Sequence, residues 1–522
     1  MLGWPMPACI VACFAVGMGM EFVMNKNVFS KVVQTRPLIR IFILVLVFFI
    51  FLISQYVALT YMDQSMEMYV GFQLAYVIGL PIIGFFFGLC VRGYQIEKIK
   101  ERYGDGSDGY VFDLKDEDIE AGKPVLVLFH HGDFTYGGSA DPLAYGDRFV
   151  KAKPDTIFVS FNYRLGLFGF IDFSEVPGGE DFPDALNLGL LDQIEALRWI
   201  RDNISAFGGD PERITVMGFE DGATSISLLA VSEQAKGLFQ KAFLFVGSPI
   251  SSYDTPEASR ALARDLLNET HTASMAELSR LDTKTLKDAA VKLWRNMCAP
   301  TCDGKLITSD PYGACQEGAA SGIDFIIGIP CSERMVYRSF IGDRNYEDLV
   351  STMMNDIEKY VDAAAFDAIQ NYIQSHAADS SEFEVKAKLI EQWLAVYAYR
   401  FTAALYEAGN HVHMMYWDRT PLIDKLGSGT VDAEAELLGN GEALRMYGNV
   451  MDKDMSVTLQ TFLYKFIKGD ALSLYRNEIH GVDEFDWEAF PKALIVSDDA
   501  LRCDTIKDRI TEVQELRDAC DA

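Results

Sequence analysis

The sequence predicts an α/β domain with a mostly parallel central sheet, preceded by two or three transmembrane helices. Three observations carry this. Beyond residue 123, short apolar runs of strand length alternate with segments of helical spacing, the pattern of a mostly parallel sheet covered by helices. The first 92 residues hold apolar runs long enough to cross a bilayer. Between them lie only polar turns and a charged connector, with no internal repeat and no low-complexity stretch.

The membrane module comes first. Residues 41–62 and 70–91 are each about as long as the roughly 20 apolar residues that span a hydrocarbon core, so both are expected to be spans. Residues 4–20 form a shorter apolar stretch with no basic residue ahead of it, which favours a third span over a signal peptide. Lys26, Lys31, Arg36 and Arg40 lie between the first two runs, and Arg92, Lys98, Lys100 and Arg102 follow the last. The excess of positive charge on cytosolic loops then places the domain on the cytosolic or matrix side, with plasma membrane and mitochondrial inner membrane both open.

The domain follows. Residues 93–123 read as a connector with a short first strand at 110–114, and residues 124–500 as the domain itself. PVLVLF at 124–129 and TIFVSFN at 156–162 are continuous apolar runs, as buried parallel strands should be. Leu190, Leu191, Ile194, Leu197 and Ile200 give residues 188–204 one apolar helical face, and Gly208-Gly209-Asp210-Pro211 breaks it. Residues 243–246, 325–328 and 413–417 read as further strands, and 353–401 as helix-rich. Residues 504–519 place Ile506, Ile510, Val513 and Leu516 on one face, so 501–522 is expected to be a C-terminal helix that could pair two copies of the chain.

The net charge is −29. Residues 1–92 hold five bases and three acids, a balance of +2, which leaves −31 for the remainder. So acidic a body excludes nucleic acid as a main partner and disfavours anionic lipid. Nine cysteines are spread without a metal-binding spacing, and free thiols are preferred to pairs such as Cys298–Cys302 or Cys503–Cys520. The sequons Asn203-Ile204-Ser205 and Asn268-Glu269-Thr270 are short enough to arise by chance. No motif implies a cofactor or a metal.

The most informative stretch is ITVMGFEDGATSISL at 214–228. It has the form of a nucleophile elbow, the G-x-S-x-G turn between a strand and a helix that holds the nucleophile of an α/β-hydrolase at the top of its sheet. Gly218 and Gly222 are in place, but the middle position holds Glu220.

Other blocks agree. Asn162-Tyr163-Arg164-Leu165-Gly166-Leu167-Phe168-Gly169-Phe170 resembles the NYRLGxxGF block of type B carboxylesterases and cholinesterases. Asn187-Leu188-Gly189-Leu190-Leu191-Asp192-Gln193, Ala206-Phe207-Gly208-Gly209-Asp210-Pro211 and the segment 236–248 are similar to that family too, in the same order. The resemblance covers roughly residues 108–500 and implies an α/β-hydrolase fold with a Ser nucleophile, a Glu acid, a His base and a Gly-rich oxyanion loop.

Carried over one position at a time, most of this machinery is degenerate. The nucleophile falls on Glu220. The oxyanion loop falls on His130-His131-Gly132-Asp133-Phe134, where His131 and Asp133 replace glycines and only Gly132 remains. The amide after the nucleophile belongs to Asp221. The acid falls on Glu333 and is kept, and the base falls on Ala433 or Asp432, in a stretch (429–437) without histidine. A serine is activated by an imidazole that takes its proton, and both are missing at the expected places. Glu220, Asp221 and Asp133 would set carboxylates where an oxyanion needs amide donors.

The resemblance extends to members such as neuroligins and neurotactin, adhesion proteins that have lost the nucleophile. The expected function is therefore a non-catalytic, multi-pass membrane protein acting as a structural or protein-interaction module. An accessory subunit of a membrane protein complex, in an energy-transducing membrane for instance, comes first. It would contact other membrane proteins through its spans and a protein partner on its acidic surface. A cell-adhesion or receptor protein and an active hydrolase using Glu220 are the alternatives.

Overall fold

The computed structural model describes residues 122–248, 255–293, 298–330, 363–377, 381–419, 429–446, 450–475, 484–497 and 501–506, with isolated positions between 347 and 354. The chain divides into two compact units, Met1–Lys115 and Asp116–Ala522. The three expected spans, the strand at 110–114 and Glu333 lie outside the described residues. Among the described residues no helix is long and apolar enough to cross a membrane.

An eight-stranded sheet runs in the order β10-β9-β6-β5-β4-β3-β1-β2. Its strands are β1 (Lys123–Phe129), β2 (Ile157–Ser160), β3 (Gly209–Phe219), β4 (Lys241–Phe245), β5 (Asp324–Pro330), β6 (Val412–Asp418), β9 (Lys492–Ser497) and β10 (Leu501–Thr505). Every neighbouring pair is parallel except β9 with β10. Strands β7 (Ser473–Tyr475) and β8 (Glu484–Asp486) form a separate antiparallel ribbon.

The continuous apolar strands follow from cover on both faces. In β1, Val125, Val127 and Phe129 enter one core cluster and Leu126 and Leu128 the other. The first cluster takes in α1 (Leu188–Asn203), α2 (Asp221–Ala230) and α3 (Glu382–Glu407). The second takes in α4 (Thr430–Leu438) and α5 (Lys453–Lys468). These five side chains of β1 are all 0% exposed, and burial of each stabilises the fold by about 1.5–3 kcal/mol. Replacing one by a polar residue would orphan that group between two apolar layers.

Two expectations change. Gly209, Asp210 and Pro211 do not merely end the preceding helix; they begin β3, after Gly208 turns the chain at φ 83°. Residues 501–505 are strand, not helix: Leu501–Thr505 pairs antiparallel with β9, Cys503 opposite Leu494. Residues 501–505 precede the helically spaced apolar positions, and an open sheet edge offers them ladder bonds. The rest of the expected pairing helix lies outside the described residues. Cys302, Cys315 and Cys503 are free thiols, and Cys298 is buried.

Candidate functional site

The register of the sheet assembles the site. Phe129, the last residue of β1, lies opposite Gly218 near the end of β3. The loop 130–134 and the elbow 218–222 therefore leave the sheet side by side. The elbow has the strained geometry the sequence implied. Glu220 sits at φ 48° and ψ −117°, a conformation that a side chain rarely adopts. Its amide donates to Phe245 O at 2.8 Å, and its carbonyl accepts from Thr224 N at 2.8 Å. The flanking glycines are needed for room. A Cβ on Gly218 would stand 2.5 Å from the carbonyl carbon of Gly222, and one on Gly222 would stand 2.4 Å from Phe129 O. Glu220 thus occupies the tip of a true elbow, with a side chain 16% exposed.

Asp221 opens α2 and is 5% exposed. Its side chain turns into the loop and occupies it. Oδ1 accepts from Gly132 N at 2.7 Å, and Oδ2 accepts from Phe134 N at 3.0 Å. The Tyr163 hydroxyl donates to His130 O at 2.9 Å and stands 3.5 Å from Asp221 Oδ2. The expected crowd of carboxylates is therefore only half the picture, since one of them is itself the anion held by the loop. The loop is shaped for this, with Gly132 at φ 140° and Asp133 and Phe134 both at φ 53°. Burial raises the Asp221 pKa to about 6, against the pull of the Phe134 and Gly132 amides and the charge of His131.

His131 replaces a loop glycine, and its ring points to both sides of the site. Nε2 lies 3.1 Å from Glu434 Oε2, and Nδ1 lies 3.9 Å from Glu220 Oε2. Glu434 stands on α4, 0% exposed, directly after Ala433. Its Oε1 has no hydrogen-bond partner among the described residues. Burial pulls the His131 imidazole down, but the charge and hydrogen bond of Glu434, with the charges of Glu220 and Asp221, outweigh it and hold the ring well above its ordinary value. It is therefore an imidazolium at neutral pH, set between two carboxylates.

His130 has a structural part. Its ring stacks on Tyr163 with centroids 4.4 Å apart, and its Nδ1 lies 3.0 Å from His131 O. Burial lowers its pKa. The sequence blocks brace the same loop. Gly166 N donates to Phe134 O at 2.7 Å, Asn162 Oδ1 accepts from Ser139 N at 2.9 Å, and Arg164 grips Asp192 through Nε at 2.7 Å and Nη2 at 2.6 Å. Gln193 Nε2 donates to Ser225 Oγ at 3.1 Å, tying α1 to α2.

Of the residues expected from the sequence, Glu220, His131, Gly132, Asp133 and Asp221 do meet. Ala433, where the resemblance leads one to expect the base, is buried on α4. Glu434 was missed; the only signal was a second acid, Glu436, in the same apolar helix, since two carboxylates in one buried helix need partners. Glu436 is 3% exposed, and its pKa is pushed up to about 7 by burial against the pull of Arg419, whose Nη2 lies 3.7 Å away. Among the described residues no group of three or more His, Cys, Asp or Glu is arranged to hold a metal ion.

The comparisons with known proteins agree with this geometry. The carboxylesterase family profile matches residues 111–492. The para-nitrobenzyl esterase of Bacillus subtilis is 37% identical over 222 residues, 41% of this chain and 44% of that protein. Neuroligin-2 of Mus musculus is 34% identical over 270 residues, 50% of this chain and 30% of that one. The matched stretch thus spans less than half of these relatives' length. Among solved structures, the Geobacillus stearothermophilus carboxylesterase EST55 superposes with a TM-score of 0.64 at 25% identity, covering 77% of this chain and 83% of that one. A PNB esterase structure superposes with a TM-score of 0.63 at 27% identity, covering 76% and 83%. The fold is that of an α/β-hydrolase, and the chain belongs to the carboxylesterase family.

Proposed function

We propose that the domain does not hydrolyse esters and instead serves as a protein-interaction body of a membrane protein, first as an accessory subunit of a membrane complex. One observation carries the first half: the Asp221 carboxylate holds the amides of Gly132 and Phe134 that an acyl-transfer oxyanion would need. Glu220 stands where the attacking hydroxyl belongs, and Ala433 stands where its base belongs. Losing one member of such a machine costs on the order of 10⁴ to 10⁶ in turnover. The similarity to neuroligin-2 and the apolar runs of residues 4–20, 41–62 and 70–91 support the second half.

The test uses the full chain purified in mild detergent. Its rate on a p-nitrophenyl ester should equal that of the heat-denatured chain, and other membrane proteins should remain bound to it. Ester turnover abolished by Glu220→Ala would overturn the reading. Protease protection of the domain in sealed membrane vesicles distinguishes a subunit on the cytosolic or matrix side from an adhesion protein facing outward.

A further inference from the structure

We infer that the end of the domain where its parallel strands begin lies on a phospholipid surface, with Trp199 and Phe207 set among the headgroups and Lys123, Arg213 and Lys468 beside them. This rests on the membrane reading above and adds which face of the domain meets lipid. Trp199 is 55% exposed and Phe207 47%, and their ring centroids are 6.3 Å apart. A lone exposed aromatic needs no explanation, but two half-exposed rings in contact make an apolar patch. Neither ring serves the core. α1 buries Leu190, Ile194, Leu197 and Ile200 and leaves Trp199 on its outer side. Phe207 ends the short turn Ile204–Phe207, in which Ile204 is the buried residue.

Chain order brings the rings and the bases to one end. α1 runs through the turn Ile204–Phe207 and Gly208 straight into β3, so Phe207 stands at the start of that strand. Lys123, the first residue of β1, pairs in register with Gly209 and donates its amide to Gly208 O at 2.9 Å. On the other face of the sheet α5 ends at the same level. Lys241, the first residue of β4, donates from Nζ to Phe466 O at 2.7 Å. Arg213 donates from Nη2 to Lys468 O at 3.4 Å and from Nη1 to Gly122 O at 3.0 Å. Lys468, its side chain 35% exposed, and Lys153 lie over the Tyr464 ring at 5.1 Å and 5.2 Å. Asp155, Asp202, Asp210, Glu212, Asp324 and Asp470 are the acids at this end, about as many as the bases, on a chain whose net charge is −29. A lipid phosphate approaching here meets no excess of negative charge. Aromatic rings beside Lys and Arg suit a membrane–water interface, where rings sit at headgroup depth and long bases reach toward phosphate. Where the chain enters the fold argues for lipid as the occupant. The described domain begins at Gly122, on this same end, and residues 92–121 link it in sequence to the last apolar run.

The experiment places the photoreactive residue p-benzoylphenylalanine at Phe207 in the full chain, reconstituted into phosphatidylcholine vesicles. Irradiation is followed by peptide mapping of the adducts. Phe168, 51% exposed beside the loop at the opposite end of the strands, carries the same probe as a control. The expected result is a phospholipid adduct at 207 and none at 168. Equal lipid adducts at both positions, no adduct at 207, or a crosslink from 207 to a second copy of the chain each overturn the inference. Should the probe at 207 block folding, Trp199→Phe decides. A lipid with a nitroxide on its headgroup should quench tryptophan emission less in that variant than in the wild type, and equal quenching overturns the inference. An alkaline wash of the vesicles reports on the apolar runs separately. A chain that is retained but carries no lipid at 207 overturns this placement alone, and a chain that washes off overturns the membrane reading with it.

Discussion

Removing the His131 ring should expose how much of the fold depends on one ion pair. Glu434 is 0% exposed, and His131 Nε2 at 3.1 Å is the cation facing it. His131→Ala leaves that carboxylate buried without its counter-charge, a change that costs about 3–5 kcal/mol. With an unfolding entropy of about 2.1 cal/mol/K per residue, a body of about 400 residues has roughly 0.8 kcal/mol/K in all, so the melting temperature should fall by about 4–6 °C. Thermal melting at pH 7.5 by circular dichroism reads this directly. The double variant His131→Ala with Glu434→Leu should recover most of the loss, since replacing both partners removes the buried charge and refills the space. The reasoning fails if the single variant melts within about 1 °C of the wild type, or if the double variant is no more stable than the single.

Four further outcomes follow from the same geometry. Glu220→Ser alone should not create p-nitrophenyl ester turnover, whereas adding Asp221→Ala frees the two loop amides and should raise it measurably above the single variant; equal rates would show that Asp221 is not the block. The Asp221 carboxyl is raised to about 6 in the fold, so its stabilising share is full below its ordinary 3.8 and is lost as pH rises through about 6. Asp221→Asn should therefore flatten the fall of melting temperature between pH 4 and pH 6, as measured by a melting series. Glu436, pushed up from 4.5 to about 7, predicts the same sign at a higher window, and Glu436→Gln should flatten the fall up to about pH 7. Gly222→Ala would drive a Cβ to 2.4 Å from Phe129 O and should leave no soluble folded domain, read as expression in the pellet.

Much of the architecture was legible in the residues. PVLVLF at 124–129 announces a strand covered on both faces, and that is where β1 lies, with its side chains shared between two cores. The spaced apolar residues of 188–204 give α1 almost to the residue, because a one-sided helix beside a sheet has few other ways to bury that face. The elbow was legible because only glycine fits beside its backbone, and the braces Asn162, Tyr163 and Arg164 announced the family because they hold that turn and its neighbouring loop. Strands β9 and β10 were not legible. KALIVS is short, and an edge strand such as β10 is half exposed, so its pattern competes with helical spacing until a neighbour offers a ladder.

The sequence by itself put Glu220 between the two glycines of the elbow and left residues 429–437 without a histidine. It could not determine what the replacements do, because that depends on register and not on order. Phe129 opposite Gly218 brings the loop beside the elbow, which lets the Asp221 carboxylate reach amides on a segment 89 residues away. The packing of α4 on the other face of the sheet then delivers Glu434 to His131. In isolation each substitution reads as a loss. Folded together, low polarity forces the buried acids to find a cation and amide donors, and for Asp221 and Glu434 parallel pairing sets them at the mouth of the sheet.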